Sequence, residues 1–242
     1  HPKREQYDLN NLRLGVTGGA PMAVKTVEEL LHNYPSLNFV NNYGATECTG
    51  SCTFSSPETA ISKANSVGKI TEIIDWKIVD EEGNDLPRYR AGELWIKGPT
   101  VIPEYWNNKE ANETEFVDGY WKTGDVGYVD EDDYFYLLDR RKNMINRGGE
   151  NIYPREVENV IYDHPKVLEA AVIGVPDEIF GEEVLAVIVP KEDSQVTENE
   201  IKEFLADKLA DYKVPKYVHF EDELPRNPSG KILRYKIQDK FK

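Results

Sequence analysis

Tyr120–Glu158 reads YWKTGDVGYVDEDDYFYLLDRRKNMINRGGENIYPREVE, a run of turn glycines, an acidic cluster, a basic cluster and a helix start in close succession. Thr123-Gly124-Asp125 sets a carboxylate beside a glycine, an arrangement by which a backbone turn presents an acceptor to a ligand hydroxyl. The aromatic-rich YFYLL that follows reads as a strand, and Arg140, Arg141 and Lys142 put positive charge where it ends. Gly148-Gly149 between polar residues predicts a tight turn, and Pro154 suits the first turn of a helix running through Val157, Val160 and Ile161. Each feature alone describes a surface hairpin with a solvated charge run. Their combination favours something more specific.

The composition sets bounds on either side of this stretch. With 242 residues the chain can form two domains, since domains usually run roughly 100 to 200 residues. No apolar run approaches the ~18 residues of a membrane span. A formal net charge of -15 argues against a nucleic-acid partner, so any bound phosphate must meet a local basic site. Cys48 and Cys52 have neither a second pair nor a neighbouring histidine for zinc, and they read as reduced thiols of a cytoplasmic protein. His1, His32, His164 and His219 are scattered, which leaves a histidine metal site or catalytic triad without support. The opening HPKREQYDLNN has no apolar core of a signal peptide and no initiator Met, so a processed or cut chain is expected.

Taken in order, Asn11–Thr17 (NLRLGVT) predicts a strand entering the turn Gly18-Gly19-Ala20-Pro21. Helical spacing at Val24, Val27, Leu30 and Leu31 ends near Pro35, and LNFVNNYG resumes as a strand that ends in a second glycine turn, Asn42 to Glu47. A strand, helix, strand unit implies a parallel sheet, and ligands of open α/β sheets sit at such turns. From Ser66 to Tyr105 short strands (SVGKI, IIDWKIVD, GELWIKG) predict a small antiparallel sheet or distorted barrel, with Glu82-Gly83-Asn84 as a hairpin, and Glu110–Phe116 follows as a short helical turn. Beyond Asn143 the reading is a helix over Pro154–Tyr162, strands VLEAAVIGV and VLAVIVP, and a helix that Thr197 and Glu200 open as a capping box. Its apolar face is Ile201, Phe204, Leu205 and Leu209; YVHFED is a further strand, and Asn227–Lys231 turns into a basic last helix. The fold class is therefore α/β plus α+β. Residues 1–141 form part of a large domain, with a βαβ unit and a distorted β-barrel, and residues 142–242 form a small α+β C-terminal domain.

Ser229-Gly230-Lys231 invites comparison with a phosphate-binding P-loop but fails it, because Pro225 stands at the first glycine and Ile232 where Ser or Thr is needed. A different resemblance covers essentially the whole chain. NNYGATE, YWKTGD, LDRRKNMINRGGENIYPREVE, VPDEIFGEE and PRNPSGKILR occur in the order and approximate spacing of the adenylate-forming enzymes, the superfamily of acyl-CoA synthetases, luciferases and peptide-synthetase adenylation domains.

That resemblance implies a two-step reaction using ATP, Mg²⁺ and coenzyme A: a carboxylate attacks the α-phosphate of ATP to give an acyl-adenylate and pyrophosphate, and a thiol then displaces AMP. It implies that Gly19, Ala20 and Pro21 border adenine and the acyl site, Asn42 lies near the adenine amino group, and Tyr43 stacks on the ring. Thr46 would touch phosphate and Glu47 hold Mg²⁺. Asp125 would accept from the ribose hydroxyls, with Arg140 on the other side of the ribose, and Lys231 would reach the α-phosphate and acyl carboxylate. The small domain would swivel about Lys142 between the half-reactions, exchanging Lys231 for the Gly148-Gly149 turn, whose bare backbone would line the pantetheine passage. The glycine- and Ser/Thr-rich loop for the β- and γ-phosphates is missing from the sequence, so it reads as the carboxyl-terminal half of a free-standing ligase most like a medium- or long-chain fatty acyl-CoA ligase. A ligase loading a carrier protein, and a non-catalytic AMP-binding domain pair, are the alternatives. Which carboxylic acid is used and the oligomeric state stay open.

Overall fold

A computed structural model describes residues 6–19, 22–228 and 230–241. The chain divides into two compact units, His1–Thr123 with Gly127–Leu137, and Gly124–Val126 with Leu138–Lys242.

The first unit begins with β1 (Leu14–Thr17), α1 (Val24–Asn33) and β2 (Asn38–Ala45), the expected parallel pair with its crossover helix. The sheet then turns mixed, because β3 (Gly50–Phe54) and β4 (Lys69–Ile70) join β2 in antiparallel fashion. Asn42 to Ala45, expected as a turn, are the last residues of β2 itself. Pairing with β3 keeps them extended, and the chain reverses only at the 3-10 turn Thr46–Cys48.

A second sheet of this unit contains β5 (Asp75–Val79) and β6 (Gly92–Lys97), followed after α2 (Lys109–Glu115) by β7 (Phe116–Val117), β8 (Tyr120–Val129) and β9 (Phe135–Arg140). Thr123-Gly124-Asp125, read as a turn, lies inside the ten-residue β8. The glycine still matters there: Gly124 takes φ +69°, a left-handed conformation in mid-strand that a β-carbon would oppose. Phe135, Leu94, Ile96, Ile78 and Trp121 pack this unit's core.

The second unit carries β10 (Ile145–Arg147), β11 (Glu150–Ile152), α3 (Pro154–Tyr162), β12 (Val167–Asp177), β13 (Gly181–Pro190), α4 (Glu198–Ala206), β14 (Tyr217–Phe220) and α5 (Arg234–Gln238). The long β12–β13 hairpin is buried on both faces. Ala170, Val172, Val184, Ala186 and Ile188 meet Val157 and Ile161 of α3 and Ile201 and Leu205 of α4. Their alternates, Ala171, Ile173, Leu185, Val187 and Val189, meet Leu224 and Ile237 on the opposite side. Strands enclosed on two faces show continuous apolar runs instead of alternation, which is why VLEAAVIGV and VLAVIVP were conspicuous in the sequence. Thr197 caps α4, its side chain accepting from the Glu200 amide at 3.2 Å. The change of unit falls within β9, between Leu137 and Leu138, whereas the sequence reading divides the chain at 141/142, in the following 3-10 turn Arg141–Asn143.

Candidate functional site

In the first unit, β1 leads into Gly18 and Gly19; Ala20 and Pro21, expected beside them, lie outside the described residues. The Asn42 side chain occupies the space above Gly18, where an added β-carbon would collide with its Oδ1. That oxygen accepts from the Ser51 hydroxyl at 3.0 Å. Gly18 and Asn42 thus meet just beyond Thr17 and Asn41, the last parallel pair of β1 and β2, and Gly19 follows Gly18. Tyr43 is turned inward, its ring 5.7 Å from that of Phe135, so stacking on a base would use only the ring face left over by the core.

Thr46 is exposed and Glu47 half-buried on the 3-10 turn. Glu47 Oε1 accepts from the Tyr105 hydroxyl at 3.0 Å, and that hydroxyl accepts from Trp121 Nε1 at 3.1 Å. The Glu47 carbonyl accepts from the Ile102 amide at 2.8 Å. No lysine, arginine or histidine pairs with Glu47 among the described residues, so its charge is left uncompensated. No cluster of three or more His, Cys, Asp or Glu side chains gathers anywhere among the described residues. One carboxylate on a turn fits Mg²⁺, which uses one or two protein carboxylates and completes its shell with phosphate oxygens and water. Next to Glu47, the buried Cys48 thiol receives the Ala45 amide at 3.1 Å. Its hydrogen bond with Cys52 holds it below the usual thiol range against the opposing effect of burial.

In the second unit, Asp125 is 3% exposed, and its Oδ1 lies 3.2 Å from Arg140 Nε. A carboxylate is the acceptor that neighbouring hydroxyls require. Just beyond, the buried Asp139 accepts from the Arg140 amide, the Asn143 side chain at 2.8 Å and the Arg155 amide at 3.2 Å, tying down both sides of the turn that carries Lys142. Gly148 and Gly149, at φ +60° and +96°, close the β10–β11 hairpin. Gly148 donates to the Phe180 carbonyl at 2.9 Å, and the Arg147 guanidinium lies 4.0 Å from the Phe180 ring centre.

Lys231 follows a loop closed by Asn227, whose side chain accepts from the Lys231 amide at 2.8 Å. The ammonium is held below the ordinary lysine range, first by loss of hydration and then by the charge of Arg140, with Asp125 opposing and Lys142 and Arg234 adding to the effect. The structure therefore brings Asp125, Arg140, Lys142 and Lys231 into one electrostatic neighbourhood within the second unit. An exposed ammonium with other cations beside it favours an incoming anion.

Residues that sequence reading passed over support these groups. Tyr105 and Trp121 back Glu47; Trp121 stands in the quoted YWKTGD, but no sequence pattern joins either residue to Glu47. The buried Arg155 and Glu158 and the half-buried Arg234 form a charge network, with Arg234 Nη2 2.7 Å from Glu158 Oε2, and Arg234 also acts on Lys231 through its charge. Their sequence signal was a charge on the apolar face of a helix.

The family model described as AMP-binding enzyme matches residues 1–106, and that of the AMP-binding enzyme C-terminal domain matches residues 156–231. The 2-succinylbenzoate–CoA ligase of Bacillus licheniformis is 44% identical over 227 residues, covering 94% of this chain and 46% of that protein. The long-chain-fatty-acid–CoA ligase FadD13 of Mycobacterium tuberculosis is 40% identical over 242 residues, covering 99% of this chain and 47% of its own length. Among solved structures, the o-succinylbenzoate CoA synthetase of Bacillus subtilis with its acyl-adenylate intermediate superposes with a TM-score of 0.85 at 38% identity, over 94% of this chain and 46% of that one. The same synthetase has been solved with ATP and magnesium ion, with a TM-score of 0.84 at 38% identity and the same shares covered. The chain thus spans about half the length of the relatives it matches.

Proposed function

Since the chain belongs to the AMP-binding family of adenylate-forming enzymes, we propose that it is the part of an acid–thiol ligase that binds AMP, holds the metal and carries the catalytic lysine. The reaction is formation of an acyl-adenylate from ATP and a carboxylic acid, then transfer of the acyl group to coenzyme A. In the first step a carboxylate oxygen attacks the α-phosphorus and the bond to pyrophosphate breaks. In the second, the thiol sulfur attacks the acyl carbon and AMP departs.

The observation that carries this reading is the grouping of charges around Lys231, whose exposed ammonium feels the charges of Arg140, Lys142 and Arg234 and the buried Asp125 carboxylate. Lys231 neutralises charge on the α-phosphate and the incoming carboxylate as they approach, which is where negative charge accumulates in the transition state. Asp125 accepts from the ribose hydroxyls, with Arg140 alongside. In the first unit, Gly19, Asn42 and Tyr43 border the adenine, Thr46 meets phosphate, and Glu47 holds Mg²⁺, which supplies charge neutralisation at the phosphates when bound. The Gly148-Gly149 turn offers bare backbone to the pantetheine arm, and Lys142 is the hinge residue between half-reactions. Relatives named for succinylbenzoate and for long-chain fatty acids match this chain at similar identity, which supports assigning its motifs to the shared nucleotide and thiol chemistry. The substrate class proposed is a carboxylic acid with an apolar body.

In the full-length ligase, Lys231→Ala lowers acyl-adenylate formation by on the order of a hundredfold or more, the scale for removing one group that stabilises developing charge. Thioester formation from supplied acyl-adenylate changes far less. Equal loss in both half-reactions, measured by pyrophosphate exchange and by single-turnover thioester release, refutes the assignment.

A further inference from the structure

We propose that Tyr105, backed by Trp121, is a positioning residue that fixes the Glu47 carboxylate for the divalent cation; the inference rests on Glu47 being the metal-holding residue. Four contacts fix Tyr105 before its phenolic hydrogen is used. Its amide donates to Asn112 Oδ1 at 2.7 Å, and its carbonyl accepts from Asn112 Nδ2 at 3.0 Å. Its ring meets Phe116 edge-on at 5.5 Å, and its hydroxyl accepts from the indole of the buried Trp121 at 3.1 Å. With the indole hydrogen on one side of the oxygen, the phenolic hydrogen is directed to Glu47 Oε1 at 3.0 Å. The same segment grips the Glu47 turn twice more, through Ile102 N–H to the Glu47 carbonyl at 2.8 Å and the Thr49 hydroxyl to the Thr100 carbonyl.

The chemistry of the donor matters as much as its position. A free glutamate loses rotamer entropy when ordered, and a pre-formed hydrogen bond meets that cost before the metal arrives. A lysine or arginine would order the side chain equally well but would cancel the charge that attracts Mg²⁺. A phenol orders it and leaves the carboxylate anionic, as outer-shell partners of metal ligands do.

The test is metal binding by the full-length ligase, read as Mn²⁺ paramagnetic resonance titrations in the presence of ATP, together with the Mg²⁺ dependence of pyrophosphate exchange. Tyr105→Phe weakens Mn²⁺ binding and raises the half-saturating Mg²⁺ on the order of tenfold, while the rate at saturating Mg²⁺ falls much less. Trp121→Phe, which removes only the second-tier donor, shifts both readings in the same direction by a smaller factor. It also serves where Tyr105→Phe does not fold. Unchanged metal affinity in a folded Tyr105→Phe, or in Trp121→Phe where that variant alone folds, overturns the inference. Glu47→Gln separates the two levels: if it leaves Mn²⁺ affinity intact, the metal reading of Glu47 itself fails. If Glu47→Gln loses the metal and Tyr105→Phe does not, only the positioning role fails.

Discussion

His164 ends the α3 segment at 4% exposure, edge-on to the Phe204 ring at 4.8 Å. Its Nδ1 accepts from the Lys166 amide at 3.3 Å, which places the ring hydrogen on Nε2, toward Glu200 Oε1 at 3.7 Å. Burial holds its proton affinity below the ordinary histidine value of 6.5, with Glu200 opposing and Lys166, Lys191 and Lys208 reinforcing. Because the unfolded chain takes up this proton at higher pH than the folded one, stability is complete above 6.5. It falls as the pH drops from there through the lower folded value. In urea titrations across this window, His164→Gln flattens the decline; an unaltered slope would assign the acid sensitivity elsewhere. Lys231 shows the same two influences, lost hydration and neighbouring positive charge.

At the scale of elements, α3 and α5 meet through charge where most helices meet through apolar side chains. Glu158 of α3 receives the Val172 amide at 2.8 Å and pairs with Arg234 of α5 at 2.7 Å, with Asp139 3.8 Å from the second guanidinium nitrogen. Burial pushes the Glu158 carboxyl upward and Arg234 pulls it back. Arg234→Met strands that carboxylate and costs about 3–5 kcal/mol of stability. Adding Glu158→Leu recovers most of the loss, because two apolar residues replace a costly buried pair. Denaturant midpoints of the single and double variants check this, and a double variant less stable than Arg234→Met would contradict it. Such a network is hard to foresee from sequence, since Glu158 and Arg234 are far apart along the chain. The periodic elements were legible for the opposite reason. Val157, Val160 and Ile161 mark α3 by local spacing, and Gly148-Gly149 announces its turn by composition alone. Asn42 to Ala45 and Thr123 to Asp125 misled because glycine beside polar residues signals a turn. Pairing with β3 kept the first stretch extended, and the second became a left-handed kink within β8. Candidate site residues could be named because their motifs are contiguous. Tyr105 could not, because its partner Glu47 is distant in sequence and no pattern joins them.

Across the whole molecule, the two units carry separate cores, and all four tryptophans, Trp76, Trp95, Trp106 and Trp121, belong to the first. Tryptophan emission therefore reports on one unit while far-ultraviolet circular dichroism reports on both. In denaturant the two signals give non-coincident transitions; superimposable curves would mean that the units unfold as one. Among the described residues, no helix is long and apolar enough to cross a membrane. The doubly covered hairpin of the second unit has one more consequence. With Ala171 to Ile173 and Val184 to Ile188 sealed on both faces, their amides meet solvent deuterium only when the unit opens as a whole. The β12–β13 ladder thus becomes an internal clock, and its exchange rate reads out the opening free energy of the lysine-bearing unit without any substrate being present.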